Sequence, residues 1–193
     1  MKFQLPELHF RKQAGNQADL EALLLKYRAK AKLALNPGYG EHPVAGVVNC
    51  DLHSSKADVV ANITSLPMYA DESVQLIEIN HASEHLALSE VVPAIQEWWR
   101  LLCTGGILVI TCPALDQIAH LWHKGPQSHD CYILKMLFGF QKHPGIFHKS
   151  CFSGRLLAAL LTANGFYSKL TFSPFPKRRT PWLLVGAEKK DGR

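Results

Sequence analysis

The sequence predicts a three-layer α/β fold with a mostly parallel sheet and an antiparallel strand pair at the C-terminal end of the sheet. Apolar runs of strand length alternate with amphipathic helical patterns over most of the chain, which favours parallel strands joined by helices. The run ILVITCP is apolar throughout, as expected of a strand buried on both faces. Two strand-like segments, YSKLTFSPF and PWLLVGAEK, then follow one another with no helical pattern between them, which predicts the antiparallel pair.

The size and composition are those of one globular domain. The chain has 193 residues, of which 47% are hydrophobic and 19% are charged. No apolar run approaches the roughly 20 residues of a membrane span, so we expect no membrane association. The five cysteines are scattered and odd in number, which favours reduced thiols and a cytoplasmic protein.

Part of the net charge of +5 comes from one cluster, Lys177 to Arg179. We interpret this cluster as a solvated loop, and an anion-binding patch remains the alternative. The sequence contains no recognisable nucleic-acid module, so nucleic-acid binding is an unfavoured alternative, and the sequence leaves the oligomeric state open.

The elements of the first half follow from short apolar runs and turns. Residues 18–32 place Leu20, Leu23, Leu24 and Tyr27 at helical spacing, which predicts a helix within an N-terminal extension over residues 1–31. The predicted strands that follow are Leu33 to Leu35, GVVNCDL, ADVVANI and Val74 to Ile79. Too few residues separate the first two strands for a crossover helix, so we expect a loop or a single helical turn there.

The second half contains three predicted helices and one irregular segment. A helix begins at Ser89 and is ended by Gly105 and Gly106, and another spans Leu115 to Trp122. Ser153 caps a third helix, which Asn164 and Gly165 close. Helical spacing fails over residues 123–150, and long irregular segments are often functional, so we expect a lid there within a single domain of residues 1–193.

The order of these signals resembles the class I S-adenosylmethionine-dependent methyltransferases, in a compact subgroup of the methyltransferase-domain-11 type. The matching stretches are KLALNPGYG, GVVNCDL, ADVVANITSLPMYADESVQLIEINHASEHL, EWWRLLCTGGILVITCPAL and LLTANGF, about two thirds of the chain. The resemblance implies a Rossmann-like methyltransferase fold that binds S-adenosylmethionine at the carboxyl ends of the strands.

The resemblance places the methionine part of the cofactor at the turn after the first strand. Glycine is favoured there because backbone must approach the ligand closely, and Gly38 and Gly40 meet that need. Asn36 stands where the family's first glycine is expected. Asparagine tolerates left-handed backbone angles, whereas Pro37 favours extended angles at the residue before it, so the two demands conflict. We predict a modified but working loop.

Other cofactor contacts also follow from the resemblance. Asp51, at the end of the second strand, would accept hydrogen bonds from both ribose hydroxyls, for which a carboxylate offers several lone pairs. Asn62 falls beside the expected adenine amino group, and Ile63 and Leu66 would wall the adenine ring. A turn aspartate and ordinary core packing are the alternatives for these residues.

His81 is the predicted general base and lies beside the methionine part or the acceptor. Histidine suits this role because its unperturbed pKa is near neutrality. The stretch HASEH, His81 to His85, also has the H-x-x-E-H pattern of a zinc protease. That pattern requires both histidines on one helix and a third ligand downstream, and the preceding residues read as a strand. We therefore expect no metal site.

The predicted function is S-adenosylmethionine-dependent methyl transfer to a small molecule or sugar-type acceptor. The alternative is a non-catalytic methyltransferase-like binding or scaffold protein. Three departures from the family pattern motivate this alternative: Asn36, Asn62, and Thr104 in place of a frequent proline.

Overall fold

The computed structural model describes residues 17–124, 130–142, 144–172 and 182–190. Its seven strands form a single sheet. The strands are β1 (Ala34–Pro37), β2 (Val48–Asp51), β3 (Val59–Val60), β4 (Val74–Asn80), β5 (Leu102–Pro113), β6 (Phe166–Phe172) and β7 (Trp182–Lys189).

The strand order across the sheet is β3-β2-β1-β4-β5-β7-β6. The first five strands in the chain pair in parallel, whereas β7 is antiparallel to both β5 and β6. This arrangement confirms the predicted α/β class and the antiparallel C-terminal pair. The carboxyl ends of β1, β2 and β4 therefore meet at one edge of the sheet, where open α/β sheets bind ligands.

Five α-helices and two short 3₁₀ helices accompany the described part of the sheet. The α-helices are α1 (Gln17–Lys30), α2 (Leu88–Leu101), α3 (Leu115–Lys124), α4 (Asp130–Phe138) and α5 (Gly154–Ala163), and the 3₁₀ helices are Ser83–His85 and Pro144–Ile146. None of the described helices is both long and apolar enough to cross a membrane.

Helix α1 covers one face of the sheet. Leu24 and Tyr27 pack against a small buried cluster that includes Leu76 and Val109. Arg28 donates to both carboxylate oxygens of the buried Glu78, each at 2.6 Å. This hydrogen bonding raises the pKa of Arg28. The N-terminal helix is thus anchored by apolar packing and by a two-point ion pair to β4.

The larger core lies on the other face, beneath α2 and α5. Ile95 and Trp98 of α2 and Leu157 of α5 pack there against alternate residues of the central strands, such as Ile77 and Leu108. The cap of α5 is as predicted, because the backbone N–H of Leu156 donates to Ser153 Oγ at 3.2 Å.

Two predicted boundaries are wrong. Helix α2 ends at Leu101, and Gly105 and Gly106 lie inside β5. The pairing of β4 with β5 jumps from Val74↔Leu102 to Leu76↔Ile107, so the glycines form an irregularity in the strand, with Gly105 at φ 75°.

The expected irregular segment 123–150 contains α4. No clear helical pattern marks this helix in the sequence, because Ile133 alone among its nine residues is buried. The expected absence of a helix between β1 and β2 is confirmed: the ten residues from 38 to 47 form turns and coil.

Candidate active site

The turn after β1 begins at Gly38 and not at Asn36. Gly38 and Gly40 have φ angles of 75° and 58°, in the left-handed region that favours glycine. Asn36 is an interior residue of β1, in register with Asn49 of β2. The left-handed conformation considered for Asn36 is therefore not adopted, and Pro37 imposes no conflict because Asn36 is extended as proline prefers.

The two turn glycines have different surroundings. A Cβ atom on Gly38 would lie 2.6 Å from the Cβ of Ala82 and 3.2 Å from Ile63, so the protein itself requires glycine there. A Cβ atom on Gly40 would meet nothing within 4 Å. Gly40 is thus the position where exposed backbone faces open space, as a ligand cradle needs.

Asp51 lies directly beside that open space. Its Oδ2 accepts from the Gly40 N–H at 2.9 Å, and its Oδ1 accepts from the N–H groups of His53 and Ser54 at 2.7 and 2.9 Å. A carboxylate has about four lone-pair sites, so acceptor capacity remains for a hydroxyl donor. This buried acceptor beside open backbone fits the ribose and methionine parts of S-adenosylmethionine.

Asn36 belongs to a row of hydrogen-bonded side chains across four strands. Its Nδ2 donates to Asn49 Oδ1 at 2.9 Å, and its Oδ1 accepts from Asn80 Nδ2 at 3.2 Å. Asn80 Oδ1 in turn accepts from the Thr111 hydroxyl at 3.1 Å. Asn49 also binds the N–H and C=O of Val44 in the first crossover. This amide row therefore holds the helix-free crossover against the sheet.

The predicted adenine residues differ in exposure. Asn62 is exposed and its Oδ1 accepts from the Thr64 N–H at 3.0 Å. Ile63 is half-buried, and its carbonyl accepts from Trp98 Nε1 at 2.9 Å, which fixes its position. Leu66 is fully buried in the core. Its burial argues against the predicted direct contact.

His81 follows β4 at the same edge of the sheet. Its φ of 50° is left-handed, its backbone N–H donates to Thr111 at 2.9 Å, and its side chain is 52% exposed. Nδ1 lies 3.2 Å from Glu84 Oε1. Because a carboxylate accepts hydrogen bonds, Nδ1 carries the proton and Nε2 is left as the basic nitrogen.

The structure places Glu84 beside His81 and brings His148, which the sequence offers with His123 as a second-choice base, close to Glu84. The side chain of Glu84 is 2% exposed, and its Oε2 has no hydrogen-bond partner. Burial lowers the pKa of His148, whose Nδ1 lies 2.8 Å from the Met136 carbonyl. The HASEH pattern marked Glu84, but no local signal connects it with a histidine 64 positions later in the chain.

Residues 144–150 are tied to this same segment. Two backbone N–H groups, of Lys149 and Ser150, donate to the Glu84 carbonyl at 2.8 and 3.1 Å. His85 Nδ1 lies 3.1 Å from the carbonyl of Phe147. Several aromatic side chains of the predicted lid and its borders are exposed at 38–61%: Trp122, Phe138, Phe140 and Phe147.

The fold is the Rossmann-like fold of the class I methyltransferases. Residues 39–110 match the family model described as a methyltransferase domain. No curated protein matches the sequence significantly. The match to the family model covers little more than a third of the chain, and it supports the resemblance to S-adenosylmethionine-dependent methyltransferases over that part.

Solved structures share the fold at low sequence identity. A methyltransferase from Methanosarcina mazei is 16% identical with a TM-score of 0.61, over 87% of this chain and 97% of that one. Another similar structure is a 1,6-didemethyltoxoflavin-N1-methyltransferase from Burkholderia thailandensis, solved with 1,6-didemethyltoxoflavin and S-adenosylhomocysteine. It is 17% identical with a TM-score of 0.61, and the match covers 90% of this chain and 77% of that one. The YcgJ protein of Bacillus subtilis is 14% identical with a TM-score of 0.57, over 92% and 100%.

Proposed function

We propose that this protein transfers a methyl group from S-adenosylmethionine to a small-molecule or sugar-type acceptor. The observation that carries the proposal is the convergence of Gly40, Asp51 and His81 at the carboxyl edge of the sheet. These residues offer open backbone, a buried acceptor and an oriented base, respectively.

Each group has a distinct task in this proposal. The backbone at Gly38 and Gly40 holds the methionine part, Asp51 accepts from the ribose, and Asn62 and Ile63 border the adenine. The cofactor supplies an electrophilic methyl group on a sulfonium. Methyl transfer then depends chiefly on holding the acceptor in line with that group, and such positioning can supply up to about 7–11 kcal/mol of the barrier.

His81 acts as the general base in this proposal. Its Nε2 takes the proton of an acceptor hydroxyl or amine, while Glu84 fixes the ring through Nδ1. A positioned base contributes typically about 10²–10⁴-fold to rate. The exposed aromatic side chains around residues 122–147 would form the acceptor wall, with the segment 123–150 as the lid. The Burkholderia structure, whose acceptor is a small heteroaromatic molecule, supports this class of acceptor.

Thermal unfolding with S-adenosylhomocysteine tests the proposal first. A ligand that binds only the folded protein must raise the melting temperature. At a ligand concentration of 100 times Kd, the free energy of unfolding increases by about 2.7 kcal/mol. No shift at millimolar ligand would favour the non-catalytic scaffold alternative and overturn the proposal.

The role of His81 needs a separate measurement. With an acceptor in hand, His81→Gln should lower kcat by about 10²–10⁴-fold and leave S-adenosylhomocysteine affinity within about twofold. His42→Gln, which changes an exposed histidine in the turn after Gly40, is the matched control. Equal rates for the parent and His81→Gln would remove His81 from catalysis.

A further inference from the structure

Glu84, His85 and His148 come together although the histidines are distant in sequence. One ligand-type atom from each residue lies within 4.8 Å of the other two. Glu84 and His85 belong to the 3₁₀ helix after β4, and His148 lies in the segment that hydrogen-bonds back to that helix. The rings of His85 and His148 have their centroids 5.0 Å apart in an edge-to-face arrangement.

The buried Glu84 carboxylate has too few hydrogen-bond or ion-pair partners to offset its loss of hydration. Within the part of the chain that the structure describes, Oε1 has one side-chain hydrogen-bond partner, His81 Nδ1 at 3.2 Å, whereas Oε2 is buried without any. A buried carboxylate needs a cation or several donors to offset the loss of hydration. No lysine or arginine among the described residues forms an ion pair with it. The buried Oε2 therefore lacks a cation or donor that the described residues could supply, and an added cation would compensate it.

Each of the two histidines has one ring nitrogen beside a backbone carbonyl. The Nδ1 atoms of His85 and His148 lie 3.1 and 2.8 Å from backbone carbonyls, of Phe147 and Met136 respectively. A carbonyl can only accept, so each Nδ1 carries the proton and each Nε2 is left with a free lone pair. A ring N–H held by a carbonyl is the usual support of a metal-bound histidine.

We propose that Glu84, His85 and His148 form a binding site for a divalent transition-metal ion such as Zn²⁺. Two imidazoles and one carboxylate suit this class of cation better than Mg²⁺ or Ca²⁺, which prefer oxygen ligands. Bonds of about 2.0–2.2 Å require the three ligand atoms to approach slightly from their present separation. Three protein ligands leave a coordination position for water or for an oxygen of a bound molecule.

This site differs from the zinc-protease pattern considered for HASEH. In that pattern His81 and His85 would share a metal from one helix. The structure instead places His81 at the end of β4 and supplies His148 as the second imidazole. The expectation of no metal site is therefore replaced by a site that the sequence pattern marked only in part.

Zinc titration of the full chain tests the proposal. The tag-free protein is stripped with a chelator, and Zn²⁺ binding is measured by calorimetry while Co²⁺ binding is followed by its visible absorption. The parent should bind one equivalent of either ion. Glu84→Gln and His148→Ala should each weaken Zn²⁺ binding at least tenfold. His42→Ala, which removes an exposed histidine, should bind as the parent does.

Stability measurements separate lost ligation from lost folding. Glu84→Gln keeps an oxygen for His81 and removes a buried charge, so its metal-free melting temperature should equal or exceed that of the parent. Zn²⁺ should raise the melting temperature of the parent and not that of either variant. No stoichiometric binding by the parent, or parent-like affinity in both variants, would overturn the site. Zinc binding without S-adenosylhomocysteine binding would overturn the proposed function alone.

Discussion

The Oδ2 atom of Asp51 accepts a hydrogen bond from the backbone N–H of Gly40 at 2.9 Å. This contact joins the end of β2 to Gly40, where an added Cβ atom would meet nothing within 4 Å. We expect Asp51→Ala to weaken S-adenosylhomocysteine binding by about 1.5–3 kcal/mol, as charge-assisted hydrogen bonds to the ribose are lost. Calorimetry measures this change directly.

The control for this variant is Asp71→Ala. Asp71 precedes β4, at the opposite end of the sheet, and its exposed side chain pairs with Arg100. Its removal should leave affinity unchanged. An unchanged affinity for Asp51→Ala would instead assign Asp51 to the turn alone, where it already binds three N–H groups.

Gly38 and Gly40 should respond differently to alanine. Gly38→Ala forces its Cβ against Ala82, so we expect a large loss of stability, and Ala82→Gly in the same chain should restore part of it. Gly40→Ala adds only the backbone strain of a left-handed alanine, about 1–2 kcal/mol, but its Cβ occupies the open space. Its S-adenosylhomocysteine affinity should fall while the protein stays folded.

Urea unfolding and calorimetry on the same samples separate these two effects. If Gly40→Ala binds S-adenosylhomocysteine as the parent does, the space beside Asp51 is not the cofactor cradle. If the double variant Gly38→Ala, Ala82→Gly is no more stable than Gly38→Ala, steric contact with Ala82 is not the reason for glycine at position 38.

Asn36 should matter for stability and not as a loop residue. Asn36→Ala leaves the Nδ2 of the half-buried Asn80 without its acceptor, which should cost about 1 kcal/mol in the free energy of unfolding. Asn36→Gly should cost at least as much, since glycine adds about 0.5–1 kcal/mol of backbone entropy in a strand. Neither variant should bind S-adenosylhomocysteine more tightly, and tighter binding by Asn36→Gly would contradict the strand assignment.

The sequence was sufficient to predict the sheet and most of the helices, because these elements depend on local periodicity and caps. The run ILVITCP and the Ser153 cap are such signals, and both predictions are confirmed. Helix α4 was not predicted because only Ile133 of it is buried. The role of Asn36 was also missed, because its partners Asn49 and Asn80 come from neighbouring strands that only the sheet order brings together.

In the candidate site too, the residues that follow strand ends could be predicted from the sequence, whereas contacts between distant segments could not. Gly38, Gly40 and Asp51 follow strand ends directly, so strand assignment alone places them at one edge. Nothing in the sequence indicates that Oε2 of Glu84 is buried without a partner or that His148 returns to it. Those facts depend on how residues 144–150 fold back onto the segment after β4.

Glu97 should make stability depend on acid pH. Its carboxylate accepts from Arg100 Nε at 2.8 Å and from the Leu66 N–H at 2.7 Å, and so joins α2 to the loop before β4. The hydrogen bonds from Arg100, more than any other cause, lower the pKa of Glu97 from its ordinary value of 4.5. A carboxyl whose pKa is lower in the folded than in the unfolded protein stabilises the fold at pH values above its unfolded pKa. It loses that contribution as pH falls through its folded pKa.

We expect Glu97→Gln to lower the free energy of unfolding by about 1–3 kcal/mol near neutral pH, and this difference from the parent should narrow steadily below about pH 4.5. Urea unfolding across this range measures the narrowing, and Glu41→Gln, which changes an exposed glutamate, should show none. A difference that stays constant from neutral to acid pH would mean that Glu97 contributes through packing and not through its charge.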